Sequence, residues 1–239
     1  MQMLLLGLAS MSSSLLMVVT GFGFGIVMMA IMPLLLPYEA ALNISTILSL
    51  SLNLTILARC WKHINWKLLA FPALFCIMGS SAGMWLMHES PSPVYKRLLG
   101  VFLVCLAIWF YFFSDKVHIR PLLRNAAIVG VISGLCGGLF SVSGPPVILY
   151  FVSVIPDKEE YMGTTQCYFL LNNIYLLLMR SILHLIPGGI LVPTLWGAGG
   201  LLIGSFLGGK IFRSINAEKL KSAVYVVMAA SGLWIAFNG

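Results

Sequence analysis

The chain has 239 residues, 60% of them hydrophobic and 9% charged, with a formal net charge of +7. A soluble domain carries about 25% charged residues, so the composition excludes one and defines an integral membrane protein with nearly all of its length in the bilayer. The basic residues sit in short loops, where they orient membrane helices, and do not point to nucleic acid.

In chain order, the segment from Met3 is apolar and lacks both a basic leader and a small-x-small cleavage site. It is expected to be the first membrane segment and not a cleaved signal peptide. Residues 3–36 form one long apolar stretch broken by GFGFG at 21–25. As a helix, the 26–36 part reaches about 16 Å, half of a hydrocarbon core of about 30 Å. Full spans are predicted at 39–59, 67–88 and 94–114. A second broken stretch follows at 125–155, carrying GLCGGLFSVSGPP at 134–146, and then spans at 160–181, 188–210 and 218–237. Each broken stretch fits either a helical hairpin with its tip inside the membrane or a span followed by a re-entrant segment. Non-helical backbone at that depth must be buried in protein or line a polar cavity.

The two halves echo each other. A shift of 119 carries Gly25 to Gly144, Pro37 to Pro156, Thr46 to Thr165 and Asn53 to Asn172; a shift of 121 carries Arg59 to Arg180, His63 to His184, Gly79 to Gly200 and Gly83 to Gly204. Interrupted apolar segments at matching places in two halves point to a transporter binding site. The expected fold is an all-α integral membrane protein of two repeats, 1–118 and 119–239, in one membrane-embedded unit. Each repeat is a Gly/Pro-broken helical hairpin plus three transmembrane helices. Basic residues in the loops 59–67, 115–124 (Lys116, Arg120, Arg124) and 210–221 (Lys210, Arg213, Lys219, Lys221) place all three in the cytoplasm. If each hairpin returns to its own side, the repeats have inverted topology and both termini lie outside.

The seven acids are Glu39, Glu89, Asp115, Asp157, Glu159, Glu160 and Glu218, all at helix ends or in loops. Intramembrane carboxylates mark cation sites and proton relays, so their absence from the middle of every span argues against a cation substrate and against paired-carboxylate catalysis. The five cysteines show no C-x-x-C spacing and read as small packing residues. What the interior offers is free backbone. Glycine breaks expose N–H groups, and the helices that follow begin with partial positive charge, which binds anions without a cationic side chain. The candidates are Gly23 and Gly25 in the first half and Ser141, Ser143, Gly144 and Pro145 in the second. Polar stripes follow each motif: Asn43, Thr46, Ser49 and Asn53, then Thr165, Gln166, Asn172 and Asn173. Of these Thr46, Asn53, Thr165, Gln166 and Asn172 are taken as substrate-binding, with interhelical glue as the competing role. Arg59, Arg180, His63 and His184 fall at helix ends, as snorkelling residues or as a cationic vestibule. Gly79, Gly83, Gly200 and Gly204, four apart on long spans, read as close-packing positions. No P-loop, H-E-x-x-H, G-x-S-x-G or C-x-x-C-H occurs, so no ATP-driven pump is built from this chain alone.

GFGFG at 21–25, LSLSLN at 48–53, KHINWKLL at 62–69, GLCGGLFSVSGPPVILY at 134–150 and the closing stretch Ser214 to Leu233 resemble the sulfite exporter TauE/SafE family, also called the toluene-sulfonate uptake permeases. Ser141 and Ser143 replace glycines frequent in that signature, and Ala30 stands where a proline is expected. The resemblance implies a multi-pass permease of the cytoplasmic membrane for sulfite, sulfonates or related small organic anions. The expected function is thus a secondary permease working by alternating access, with a passive anion channel as runner-up and a membrane-embedded enzyme behind it. No catalytic residue, metal site or cofactor is expected. The partners are the anion, the lipid bilayer and, left open, a coupling H+ or Na+ and a second copy in a homodimer.

Overall fold

The structure is a computed structural model; it describes residues 2–89, 92–113, 119–211 and 217–238. Asp115, Lys116 and Arg213 of the orienting loops lie outside the described residues. Within them the elements are helical: α1 (Gln2–Thr20), α2 (Phe24–Leu35), α3 (Tyr38–Cys60), α4 (Trp66–Glu89), α5 (Ser92–Phe113), α6 (Leu123–Phe140), α7 (Gly144–Val154), α8 (Lys158–Ile182), α9 (Leu191–Ile211) and α10 (Ala217–Asn238). A 3-10 turn, Trp61–His63, ends α3. Six helices among the described residues are long and apolar enough to cross a membrane: α1, α3, α4, α5, α6 and α9. The outward faces are apolar, as lipid contact requires, with Leu74, Trp85, Leu195 and Phe206 all more than half exposed. This is a multi-pass membrane protein.

Both broken stretches fold as a long limb and a short one. α1 has 19 residues and α2 has 12; α6 has 18 and α7 has 11. At 1.5 Å per residue the short limbs reach only about 16–18 Å. Side-chain contacts fix which end of the bundle each limb occupies. Asn65 Nδ2 donates to Glu160 Oε1 at 2.6 Å and His63 pairs with Glu159 at 3.1 Å, so the α3–α4 turn and the start of α8 share one end. Ile119 N donates to Ser153 Oγ at 3.1 Å, which brings the entry to α6 and the end of α7 there too. At the other end Asn43 Nδ2 donates to the Leu185 carbonyl at 3.1 Å, joining the start of α3 to the α8–α9 loop. α1 runs parallel to α9, with Gly7 against Gly200 and Met11 against Gly204, so α1 enters from that second end. The α1–α2 stretch therefore begins and finishes at one end, and α6–α7 at the other.

Backbone-to-backbone contact holds the long helices. Gly79 and Gly83 of α4 face the carbonyls of Val131 and Leu135 on α6, while Gly130, Gly134 and Gly138 face those of Pro72, Cys76 and Ser80. α9 seats Gly200 and Gly204 on α1 in the same way, and Gly100 of α5 meets Gly232 of α10. With no side chain between them the helices approach closely and gain dispersion contacts, which stand in for the hydrophobic effect inside lipid. α3 pairs with α8. α8 is 25 residues long yet is not among the six apolar spans. It turns Thr164, Gln166, Asn172, Asn173 and Arg180 inward and shows Leu171, Ile174, Leu178 and Ile182 outward, the reverse of a soluble amphipathic helix.

Candidate functional site

The first break turns on two glycines, Gly21 (φ 83) and Gly23 (φ 100). Only glycine takes that left-handed backbone without strain. α2 then starts at Phe24, and its first helical bond runs from Val27 N to the Gly23 carbonyl at 3.1 Å. The N–H groups of Phe24, Gly25 and Ile26 are left without intrahelical acceptors. The second break turns on Ser141, at φ 55. A left-handed non-glycine residue costs about 1–2 kcal/mol. Its hydroxyl is held in return by Thr46 Oγ1 at 3.0 Å and by Arg180 Nη2 at 3.0 Å. α7 starts at Gly144 with prolines in its first turn, where missing N–H groups cost nothing. Ser143 precedes it, and its side chain makes no capping bond.

The two tips touch. A Cβ placed on Gly25 would lie 2.6 Å from the Ser141 carbonyl oxygen. Around this contact is a cavity of about 30 Å³ lined by Gly23, Gly25, Ser141, Ser143 and Gly144, with Ser49 of α3 and Phe169 and Asn173 of α8 closing it. At roughly 10–15 Å³ per water it holds about two, so the site is contracted around the tips. Ser49 lies midway along α3 and Asn173 just past the middle of α8, joined by a 3.1 Å hydrogen bond from Asn173 Nδ2 to Ser49 Oγ. The cavity is therefore near half-depth. The residues around it carry backbone N–H groups, hydroxyls and a carboxamide, beside apolar Met17 and Phe24. No group able to act as a general base lines it, and the set suits binding an anion.

Other predicted residues lie elsewhere. Thr46 stands behind the wall, bonded to Ser141. Pro145 is buried in the first turn of α7 and is not among the residues lining the cavity. Asn172 turns to α4, where its Oδ1 accepts from Ser80 Oγ at 2.7 Å. Asn53 is fully buried and neither side-chain polar atom has a partner; Thr165 Oγ1 likewise has none. Gln166 Nε2 donates to the Gly21 carbonyl at 2.8 Å, bracing the end of α1. Arg59 is exposed and borders an apolar groove with Leu52, Met162 and Phe206. His63 pairs with Glu159, and His184 is exposed in the α8–α9 loop at φ 54. Arg180 departs from the expected vestibule: it is 0% exposed. Helical side chains lean toward the N-terminus, which carries its guanidinium back from the helix end and under Leu42 and Thr46. Ser49, Phe169 and Asn173 line the cavity although the sequence reading does not place them among the substrate-binding residues. Consecutive helix positions differ by about 100°, so Asn172 and Asn173 cannot face the same partner, and nothing local to the sequence tells which one faces the cavity.

An all-helical membrane bundle with two opposed broken helices meeting at a polar half-depth cavity is the architecture of a membrane transporter. The sequence model described as Sulfite exporter TauE/SafE matches residues 5–235, and the chain belongs to that family of transporters. It is 27% identical over 143 residues to a "Probable sulfite/organosulfonate exporter TauE" of Cupriavidus necator (strain ATCC 17699 / DSM 428 / KCTC 22496 / NCIMB 10442 / H16 / Stanier 337). That alignment covers 56% of this chain and 54% of the relative, so the chain spans about half the length of the curated relative it matches. No solved structure matches the chain.

Proposed function

We propose that the protein is a secondary permease that carries a small sulfur-containing oxyanion, sulfite or an organosulfonate, by alternating access. The anion sits between the two broken helices, on the free N–H groups that open α2, the N–H of Gly144 that opens α7, and the hydroxyls of Ser141 and Ser143. The observation that carries this reading is a cavity lined by residues of both breaks. The division into repeats 1–118 and 119–239 belongs to the same proposal. The α1–α2 and α6–α7 stretches enter from opposite ends, and α1·α9 and α4·α6 are equivalent pairings under exchange of the halves. The name carried by the Cupriavidus relative supports the substrate class and export as the direction.

The test is counterflow in proteoliposomes. Labelled sulfite or a simple sulfonate should enter saturably, and unlabelled anion on the far side should accelerate it. Flux that is neither saturable nor accelerated would make the protein a channel. Ser143→Ala removes one neutral hydrogen bond worth about 0.5–1.5 kcal/mol, so affinity should fall by about tenfold or less. An unchanged affinity in a monodisperse variant would remove Ser143 from the site.

A further inference from the structure

Arg180 is the one charged side chain buried completely among the described residues. Its hydrogen bonds go to neutral oxygens: Nη1 donates to the Leu42 carbonyl at 3.3 Å and to Thr46 Oγ1 at 2.9 Å, and Nη2 donates to Ser141 Oγ at 3.0 Å. No carboxylate among the described residues forms an ion pair with it. The titratable groups on the elements that hold it are Tyr38 and Glu39 at the start of α3, which carries Leu42 and Thr46, His184 just beyond its own helix, and the neutral thiol of Cys136 near the end of α6. Tyr38 is itself engaged, donating to the Leu139 carbonyl.

A guanidinium has five donors in a planar fork. Nε has no partner, and Nη2 spends one of its two hydrogens. Nε and Nη2 make one edge of the fork, the edge that grips two oxygens of an oxyanion side by side. Ser141, held on Nη2, forms part of the cavity wall, and Arg180 stands behind it, outside the lining itself. A buried cation without a counter-ion is costly in a membrane interior. The helix ends do not alter its balance. The partial positive ends of α2 and α7 are matched at the same breaks by the partial negative ends of α1 and α6. The fixed charge beside the site is therefore one positive unit, one side chain behind the cavity wall.

We propose that Arg180 sets the charge of the cargo: the site takes oxyanions with a single negative charge, such as hydrogensulfite or a simple sulfonate, and discriminates against dianions such as sulfate. One negative charge neutralises the site, and a second would leave a buried charge of the other sign. Ser141 couples the two groups. Its hydroxyl hydrogen has a long 3.3 Å contact to the Leu42 carbonyl and a 3.0 Å contact to Thr46 Oγ1, and it can swing to the anion while its oxygen stays on Arg180. The inference rests on the reading that the anion binds between the broken helices.

The test uses the purified full-length protein and three probes. Methanesulfonate is a fixed monoanion, sulfate a fixed dianion, and sulfite passes from one charge to the other around neutral pH. Methanesulfonate should bind at least about tenfold more tightly than sulfate. Sulfite affinity should fall several-fold between about pH 6 and about pH 8, on the order of the loss of hydrogensulfite, while methanesulfonate affinity stays level. Arg180→Lys should keep the preference for the monoanion, and Arg180→Gln should bring the two affinities together. Equal binding of sulfate and methanesulfonate by the unmutated protein overturns the proposal, whether or not the variants fold. So does a folded Arg180→Gln that keeps the preference. Gly144→Leu separates the two levels. If it binds methanesulfonate like the unmutated protein, the site itself is misplaced and the Arg180 proposal falls with it. If it loses binding while Arg180→Gln keeps the preference, only the role of Arg180 falls.

Discussion

Ser141 pays for its left-handed backbone with a hydroxyl that Arg180 and Thr46 both use. Replacing it by alanine or by glycine removes the same hydroxyl, but only glycine relieves the backbone. Ser141→Gly should therefore be more stable than Ser141→Ala by about 1 kcal/mol, read as a difference in unfolding in detergent. Equal stabilities would mean that the strain at this position is absent in solution. The paired glycines of the tips do not behave as their sequence match suggests. A Cβ on Gly144 meets only the edge of Phe169, at 3.6 Å, whereas one on Gly25 meets the Ser141 carbonyl at 2.6 Å. Gly144→Ala should fold normally. Gly25→Ala should push the tips apart and cost about 1–3 kcal/mol, visible as a lowered melting temperature. Equal melting points would show that the tips are not in contact.

Among the elements, the interlocked pairs α4·α6 and α1·α9 have no slack, because backbone meets backbone. Gly134→Ala places a methyl against the Cys76 carbonyl and should destabilise by at least about 1–3 kcal/mol. Gly188→Ala, in the open α8–α9 loop where an added Cβ meets nothing within 4 Å, should change the melting point little. Comparable losses in both would deny the interlock. These elements were largely legible in the sequence, because charge punctuation and length are local signals. The span expected at 39–59 appears as α3, Tyr38–Cys60, and the breaks fall at GFGFG and SVSGPP. The interior of the site was legible only in part. The tips announce themselves through glycine and proline, but which face of α8 meets them is set by packing against α3 and α4. The same limit hid Arg180: a charge near the end of a hydrophobic run looks like an interfacial anchor until the turn that covers it is known.

For the whole molecule, the contacts at the two ends predict sidedness. Single cysteines at Lys62, Arg120 and Lys158 should react from one face of the membrane, and one at Gly188 from the opposite face, measured with an impermeant thiol reagent in oriented vesicles. Positive charge around the first set assigns it to the cytoplasm. Lys62 and Arg120 reporting from opposite faces would break the opposed-hairpin arrangement. The inward-turned polarity of α8 also bears on how the protein is made. Polar side chains lower the insertion of a lone helix into lipid, and α8 carries two asparagines, a glutamine and Arg180. Leaving the ribosome by itself, such a segment partitions poorly into lipid. In the folded protein α3 offers Thr46, Ser49 and the Leu42 carbonyl, and α4 offers Ser80, to receive these groups. The partners of this late helix thus all lie in the part of the chain made before it, so the order of synthesis is the order in which its polar face can be satisfied.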